Sequence, residues 1–405
     1  MTKAIKYSAP LLLALALQIL ANSDKPESKT PQIELRPYWQ EKIAGLPSQY
    51  PGPFWSPDSR YVAFQALAPG SDAARPQAEL LVVDVMKRKI VWNSANHPKR
   101  QGIPGRKQVM DLKWLKAPDG LIWIESTGDL WRLTLATGAL EHLGKLKGLF
   151  ETTYFAFPFR KQSTFISRTA PHVYYFRPQE ANTLTLRRFD YSSSRDEELW
   201  SSKQSKYLYQ DADSLLVISC VSELPKNKLL FILQEKESDF PRSLVHVVNL
   251  EKPTHIDITP IPAPGVFILH EASLLDDSGE ILLTGLARKG ENETGPDYIA
   301  VYTYNVFTRQ LRERLKVEDA VLENWRILLP EKLYTVFWMR EEQKADMPRL
   351  HAFLALHSPD LTKTLTKLDI PSSDYSISPC GNYLAHASIN KNYGLMIQQI
   401  VRHKR

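Results

Sequence analysis

Apolar and polar positions follow a pattern that returns along the whole chain. The clearest copy, FWSPDSRYVAFQA at residues 54–66, joins an apolar pair, a Ser-Pro-Asp turn and an apolar strand. A second clear copy, YSISPCGNYLAHAS, lies at 375–388. Weaker copies begin at Lys116, Leu224, Leu275 and Leu329. Self-similarity at a fixed period is the signature of a repeat architecture, so the pattern predicts one.

The spacing of the copies gives the number of units. The second turn residue falls at Pro57, Pro118, Pro225, Asp277, Pro330 and Pro379. One interval, 107 residues, is about twice the others, which are 61, 52, 53 and 49. A degenerate copy is therefore expected inside it, and residues 157–162 followed by STFISR at 163–168 are the candidate. The chain then contains seven units.

Each unit contains four predicted strands. In the first unit they are 54–56, 61–66, 79–85 and 89–92. Segments such as LLVV at 80–83 are apolar on both sides, which indicates a sheet covered on both faces. Repeated four-stranded antiparallel units of this kind predict an all-β, seven-bladed β-propeller. A chain of two-sheet sandwiches is the alternative.

The last unit lacks its fourth strand, because only residues 401–405 follow its third strand at 394–400. Residues 32–35, or the slightly later 39–43, precede the first unit without a partner of their own. We expect an N-terminal strand to complete the last blade, since a closed ring leaves no long unpaired edge.

The segment Ser56-Pro57-Asp58-Ser59-Arg60-Tyr61-Val62-Ala63-Phe64, followed by a third strand with LLVVD at 80–84, resembles the propeller repeats of the TolB family and of WD-repeat-like propellers. The resemblance implies a propeller fold and a periplasmic location. It implies no activity, because such propellers host both binding proteins and enzymes. No segment resembles the separate α/β domain of TolB, so the partners of TolB are not implied.

The N-terminus resembles a secretory signal. Lys3 and Lys6 precede the apolar run 9–21, and Ala21 and Ser23 are small residues at a cleavage position. The predicted organisation is a signal peptide at 1–23, a polar tether at 24–31 and a β-propeller at 32–405. Export would place the protein in the periplasm or outside the cell, with no transmembrane segment in the mature chain. An uncleaved anchor is the alternative.

Net charge and sequence motifs limit the ligands and reactions that the sequence predicts. The formal charge of +6 falls to +4 when Lys3 and Lys6 are removed, and with export this makes nucleic acid an unexpected ligand. The sequence contains no Gly-x-Ser-x-Gly, His-Glu-x-x-His or Cys-x-x-Cys motif. We therefore assign no catalytic residue, cofactor or metal site. Cys220 and Cys380 are expected to be reduced, because the predicted blades place them far apart.

The candidate site lies on the face that carries the long loops, predicted at 68–78, 170–182, 235–242, 287–297 and 340–349. Long loops commonly carry function. Two of them end in Asp-x-Pro-Arg and place Arg242 and Arg349 on the same rim, where a guanidinium could hold an anion. Lys99, Arg100 and Arg106 follow from a basic connection, and Phe240 and the aromatic run 174–176 supply apolar contacts. Solvated loops and local Asp–Arg pairing are the alternatives.

These features predict a non-enzymatic binding or scaffold module for a protein or an anionic envelope component. The rival is an envelope lyase or glycoside hydrolase with carboxylates at the channel mouth, for which Glu271, Glu323 and Asp374 are the candidates. A structural assembly subunit with a large apolar surface is a third hypothesis.

Overall fold

The computed structural model describes most of the predicted strands and fewer of the loops. The described residues are 32–42, 53–67, 78–97, 109–115, 120–148, 164–179, 183–205, 221–235, 242–253, 256–262, 266–275, 277–288, 298–317, 327–328, 335–342, 349–357, 364–369, 375–388 and 394–403. The predicted signal peptide and tether lie outside them.

The described strands form four-stranded antiparallel sheets. Blade 1 contains β2 (Phe54–Trp55), β3 (Tyr61–Leu67), β4 (Ala78–Asp84) and β5 (Lys89–Asn93). Blade 2 contains β6 (Val109–Trp114), β7 (Gly120–Glu125), β8 (Asp129–Thr134) and β9 (Ala139–Lys145). Blade 3 contains β10 (Thr164–Ile166), β11 (His172–Gln179), β12 (Thr183–Asp190) and β13 (Arg195–Ser201). Blade 4 contains β14 (Val221–Leu224), β15 (Lys228–Gln234), β16 (Ser243–Asn249) and β17 (Ile256–Pro260).

The remaining sheets follow the same order. Blade 5 contains β18 (Val266–Leu274), β19 (Glu280–Arg288), β20 (Tyr298–Asn305) and β21 (Leu311–Val317). A further sheet contains β22 (Ile327–Leu328), β23 (Thr335–Glu342), β24 (Arg349–His357) and β25 (Thr364–Asp369). The closing blade contains β26 (Tyr375–Ile377), β27 (Tyr383–Ser388), β28 (Gly394–His403) and β1 (Gln32–Lys42). Short 3-10 helices, Ser94–Asn96 and Ser202–Gln204, follow β5 and β13.

Buried side chains lie between neighbouring blades. Separate hydrophobic clusters join blade 1 to blade 2, blade 2 to blade 3, blade 3 to blade 4, blade 4 to blade 5, and the closing blade to blade 1. This is the packing of a β-propeller, in which each blade is covered on both faces by its neighbours. Strands such as Leu229–Leu233, which are fully buried, are apolar on both sides for this reason.

The predicted number of seven equivalent blades is corrected by this packing. The side chains that the structure describes pack as six blades, which are blades 1 to 5 and the closing blade. The β22–β25 sheet has the same strand order, but it is described by backbone pairing alone. Four-stranded order does not by itself show packing between blades, so this sheet is not counted as a packed blade.

The N-terminal strand completes the closing blade. β1 pairs antiparallel with β28 from Gln32 opposite His403 to Lys42 opposite Gly394, with an irregularity between Pro37 and Trp39. Tyr38 and Trp39 pack against the cluster between the closing blade and blade 1. The expected closure by residues near the start of the predicted propeller is therefore present in the structure.

A serine closes the turn after the first strand in three blades. In blade 1 the Ser56 hydroxyl accepts the Tyr61 N–H at 2.8 Å, and in the closing blade Ser378 accepts the Tyr383 N–H at 3.0 Å. In blade 3, Ser167 accepts the N–H of Ala170 at 3.0 Å. The serine holds a tight turn that would otherwise leave buried N–H groups without acceptors.

The prediction for blade 3 is wrong by one strand. We expected a turn at 157–162 and the second strand at 163–168, but β10 at Thr164–Ile166 is the first strand and β11 at His172–Gln179 is the second. The predicted long loop at 170–182 is therefore mostly β11. The turn begins at Ser167, and its proline is Pro171, four residues after the serine. The turn therefore lacks the Ser-Pro motif of the copies at 54–66 and 375–388.

Two histidines are buried within blades. His246 is fully buried in β16, where its Nδ1 lies 3.1 Å from the Leu244 carbonyl oxygen, and burial lowers its pKa to about 3. His386 is buried in β27 with Nε2 3.1 Å from Gln398 Oε1.

Among the residues that the structure describes, no helix is both long and apolar enough to cross a membrane.

Candidate functional site

Arg242 is the one predicted site residue whose side chain the structure describes. Its Nε and Nη2 donate to Glu235 Oε2 at 2.9 and 2.6 Å, and the Glu235 N–H donates to the Arg242 carbonyl at 2.8 Å. The two residues close the base of the loop between β15 and β16. The Glu235 side chain is 10% exposed and that of Arg242 41%. The partner of Arg242 is thus Glu235, whereas the aspartate of the Asp-x-Pro-Arg motif, Asp239, lies outside the described residues.

The other candidates are only partly visible. Arg349 is the first residue of β24, and its backbone lies opposite that of Glu342 in β23. Its side chain is not described. Lys99, Arg100, Arg106 and Phe240 lie outside the described residues. Of the carboxylates proposed for an enzyme, Glu271 lies in β18 opposite Thr284, with only its backbone described, and Glu323 and Asp374 lie outside the described residues.

The aromatic run Tyr174, Tyr175 and Phe176 does not contribute to an exposed surface. These side chains are 2%, 0% and 1% exposed. They lie in β11 and face blade 2 or blade 4, because alternate residues of a strand point to opposite faces. The expectation of interface aromatics on the long-loop face is wrong for this run.

Polar side chains connect the first strands of blades 2, 3 and 4. Asp111 accepts the Ile166 N–H through Oδ2 at 3.1 Å, and Lys113 donates to the Ser167 carbonyl. From the other side, Glu223 accepts the Ser167 hydroxyl and the Arg168 N–H, the latter at 2.9 Å. We call these four residues, Asp111, Lys113, Ser167 and Glu223, the inner-strand cluster. Lys113 lies 54 residues before Ser167 and Glu223 lies 56 residues after it, so only the fold brings the cluster together.

Burial perturbs the titration of this region. Burial raises the pKa of Asp111 to about 6, although the Ile166 and Leu112 N–H groups and Lys113 oppose the shift. Burial and Arg188 lower the pKa of His172, although Asp190 opposes the shift. Burial and Glu223 raise the pKa of Tyr174 to about 12. A carboxyl that titrates near neutrality can exchange protons with a ligand. Both oxygens of Asp111, however, already accept backbone hydrogen bonds.

A second surface lies on the turn between β4 and β5 and continues along β5. We call residues Met86 to Val91 the blade 1 edge. Met86 is 63% exposed, Ile90 37% and Val91 38%, and Lys87, Arg88 and Lys89 between them are exposed. The Arg88 guanidinium lies 4.4 Å from the centre of the Tyr38 ring in β1. Three exposed apolar side chains interleaved with three cations form a surface suited to a macromolecular partner.

The buried carboxylate beneath this surface is already paired. Asp84 is 1% exposed, and Arg60 Nη2 and Lys87 Nζ lie 3.3 and 3.9 Å from its Oδ2. The blade 1 edge was not predicted from the sequence, because the long loops were the expected site of function. The run Met-Lys-Arg-Lys-Ile-Val at 86–91 was the available signal.

Comparisons with known proteins support the fold. No protein-family model matches the chain, and no curated protein sequence matches it. The structure is similar to the β-propeller domain of Cps50 (Swd1) from Myceliophteria thermophila, with 9% identity and a TM-score of 0.52, over 91% of this chain and 100% of that one. It is also similar to an oligogalacturonate lyase from Vibrio parahaemolyticus, with 9% identity and a TM-score of 0.55, over 92% of this chain and 94% of that one. An oligogalacturonate lyase in complex with manganese gives 10% identity and a TM-score of 0.54, over 91% and 96%. These similarities show a β-propeller.

Proposed function

We propose that this protein is a non-enzymatic β-propeller binding module whose ligand is a protein. The blade 1 edge is the observation that carries the proposal. Of the four large apolar side chains that are exposed among the described residues, Met86, Ile90 and Val91 lie within six consecutive positions, and Phe307 lies apart on blade 5. Such clustering beside cations is typical of protein interfaces, in which apolar contacts are surrounded by charge.

The inner-strand cluster supports a rigid scaffold. Asp111 and Glu223 direct their carboxylate oxygens at backbone N–H groups of blade 3, and Lys113 donates to a backbone carbonyl. Gln65 likewise bonds both the N–H and the C=O of Val109 in the next blade. These polar groups stabilise the contacts between blades. A ring held in this way can present surface residues without rearranging when a partner binds.

The experiment is site-specific photo-crosslinking in cells of the native host. A photoreactive residue replaces Met86 in the full-length protein, and a matched control replaces Ser193, which is exposed in the equivalent turn of blade 3. We expect a protein adduct at position 86 and none at position 193. No adduct at position 86, or equal adducts at both positions, would contradict binding through the blade 1 edge.

The proposal has two further parts, the location of the protein and a second binding surface on the long-loop face. We propose export through the signal peptide at 1–23 and a location in the periplasm or outside the cell, as the resemblance to TolB-like propellers suggests. Intact mass of the purified protein tests this, because cleavage yields a chain that starts at Asp24.

The long-loop face is proposed to bind an anionic ligand. The proposed contacts are Arg242, Arg349, Lys99, Arg100, Arg106 and Phe240.

An envelope lyase is the second candidate function. It is favoured by the pKa of about 6 at Asp111, beside Lys113, and two proteins of similar fold are oligogalacturonate lyases. Incubation of the protein with oligogalacturonate and manganese, followed by ultraviolet absorbance of unsaturated product, tests it. A rate that the Asp111→Asn variant lowers would favour the enzyme. A rate equal to that of heat-inactivated protein would exclude this substrate.

A further inference from the structure

The outermost strands of the sheets differ in one chemical respect. Among the outer strands that the structure describes, each one except β5 contains at least one carboxylate. These are Glu34 and Glu41 in β1, Glu141 in β9, Asp196, Glu197 and Glu198 in β13, Asp257 in β17, Glu313 in β21 and Asp369 in β25. β5 reads Lys-Ile-Val-Trp-Asn and follows directly after Lys87 and Arg88.

Outer strands carry backbone N–H and C=O groups along their free edge, and natural sheets protect such edges with charged residues, prolines and bulges. β5 has a bulge at Val91, but β9, β13 and β21 have comparable irregularities. The bulge therefore does not distinguish β5. Among the outer-strand side chains that the structure describes, the large apolar residues that are exposed, Ile90 and Val91, both lie in β5, and the cations of this strand lie only at its start.

We infer that β5 accepts an extended, carboxylate-bearing segment of a protein partner as an additional strand. This inference rests on the proposed function and specifies how the partner binds. In such strand addition the main chain supplies the hydrogen bonds, and alternate side chains supply the specificity. Carboxylates of the segment meet Lys87, Arg88 and Lys89, and its apolar residues cover Ile90 and Val91.

Charge explains why the segment selects this edge. Asp84 is paired with Arg60 and Lys87, and Glu79 accepts the Asn93 amide at the far end of β5, so Lys87, Arg88 and Lys89 outnumber the carboxylates beside the turn. The acidic residues of the other outer strands disfavour the same segment, since like charges placed opposite each other are destabilising. A second copy of this chain would bring the same three cations to the edge, which makes an acidic partner the better match.

The probe is a fluorescent peptide of alternating glutamate and valine, titrated into the full-length protein. The test variant, Lys89→Glu with Ile90→Glu, gives β5 the acidic character of the other edges at two exposed positions. The control variant, Gln310→Glu with Arg312→Glu, makes a similar change at exposed positions of blade 5. We expect affinity to fall about tenfold or more for the test variant and to change less than about twofold for the control. Equal affinity for both variants would overturn the inference.

A second measurement separates strand addition from simple charge attraction. A peptide of the same charge, with proline replacing alternate valines, lacks the N–H groups that a ladder needs. We expect it to bind more weakly, and only the parent peptide should slow hydrogen exchange of the β5 amides, with no change in β21. Equal binding of the two peptides, or no protection of β5, would overturn strand addition.

The two proposals fail in different ways. An adduct at position 86 in cells, without β5 protection by the peptide, overturns strand addition and leaves the binding module intact. Protection of β5 without any adduct in cells supports the docking strand and contradicts the proposed function. The circular dichroism of each variant is compared with that of the wild type, so that a misfolded variant is replaced by Lys89→Glu alone.

Discussion

The amide of Gln65 is expected to be a main link between blades 1 and 2. It lies in β3 and is 3% exposed. Its Nε2 donates to the Val109 carbonyl at 3.0 Å, and its Oε1 accepts the Val109 N–H at 2.8 Å. The side chain therefore pairs with the backbone of the next blade as a neighbouring strand would. Replacement by leucine keeps the approximate volume and removes both hydrogen bonds.

The cost follows from the two backbone groups left without a partner. Each buried polar group that loses its partner costs about 1–3 kcal/mol, so Gln65→Leu should lower the free energy of unfolding by about 2–6 kcal/mol. Urea unfolding followed by tryptophan fluorescence measures the change, and hydrogen exchange at β6 locates it. Gln310→Leu, at an exposed position, is the control and should change stability by less than about 0.5 kcal/mol. Equal unfolding midpoints for the two variants would refute the proposed link.

Three further predictions concern other contacts. Arg242→Ala should lower the free energy of unfolding by about 1–3 kcal/mol, because Glu235 is left buried without its guanidinium, and Glu235→Leu in the same chain should recover part of the loss. Deletion of residues 24–45 removes β1 and should lower the melting temperature far more than removal of 404–405, which lies beyond β28; equal temperatures would contradict closure. The pKa of Asp111 is raised from 3.8 to about 6 on folding, so the folded chain binds more protons between these values and stability decreases as pH rises through this window. The unfolding free energy of the wild type should therefore fall relative to Asp111→Asn by up to about 3 kcal/mol between pH 4 and pH 7, and parallel pH profiles would contradict the assigned titration.

The turns show how far the sequence predicts this fold. The Ser-Pro-Asp motif at 56–58 marks blade 1 correctly, and the closing blade keeps the same turn although Cys380 replaces the aspartate. The structure gives the reason, since the hydroxyls of Ser56 and Ser378 accept the N–H that closes each turn. In blade 3 the serine is retained and the proline is displaced, so the first strand of this blade was predicted to be its second.

The contacts between blades and those of Arg242 are harder to predict from the sequence than the turns are, because they depend on the fold. Gln65 is 44 residues from Val109, and Asp111 is 55 residues from Ile166. No local pattern marks either side chain, because their partners are backbone groups of another blade. Arg242 was found from its sequence motif, but its partner Glu235 could be identified only when β15 and β16 were placed side by side.

The blade 1 edge lies between these cases. The absence of a carboxylate from Lys-Ile-Val-Trp-Asn is visible in the sequence, yet it has meaning only when the fourth strand of each unit is known to be the outermost. The same residues in a central strand would be paired on both sides, and the lack of acid would then be ordinary. The lack of a carboxylate in β5 supports a binding hypothesis because β5 is an outer strand, and only an outer strand can offer backbone hydrogen bonds to a partner.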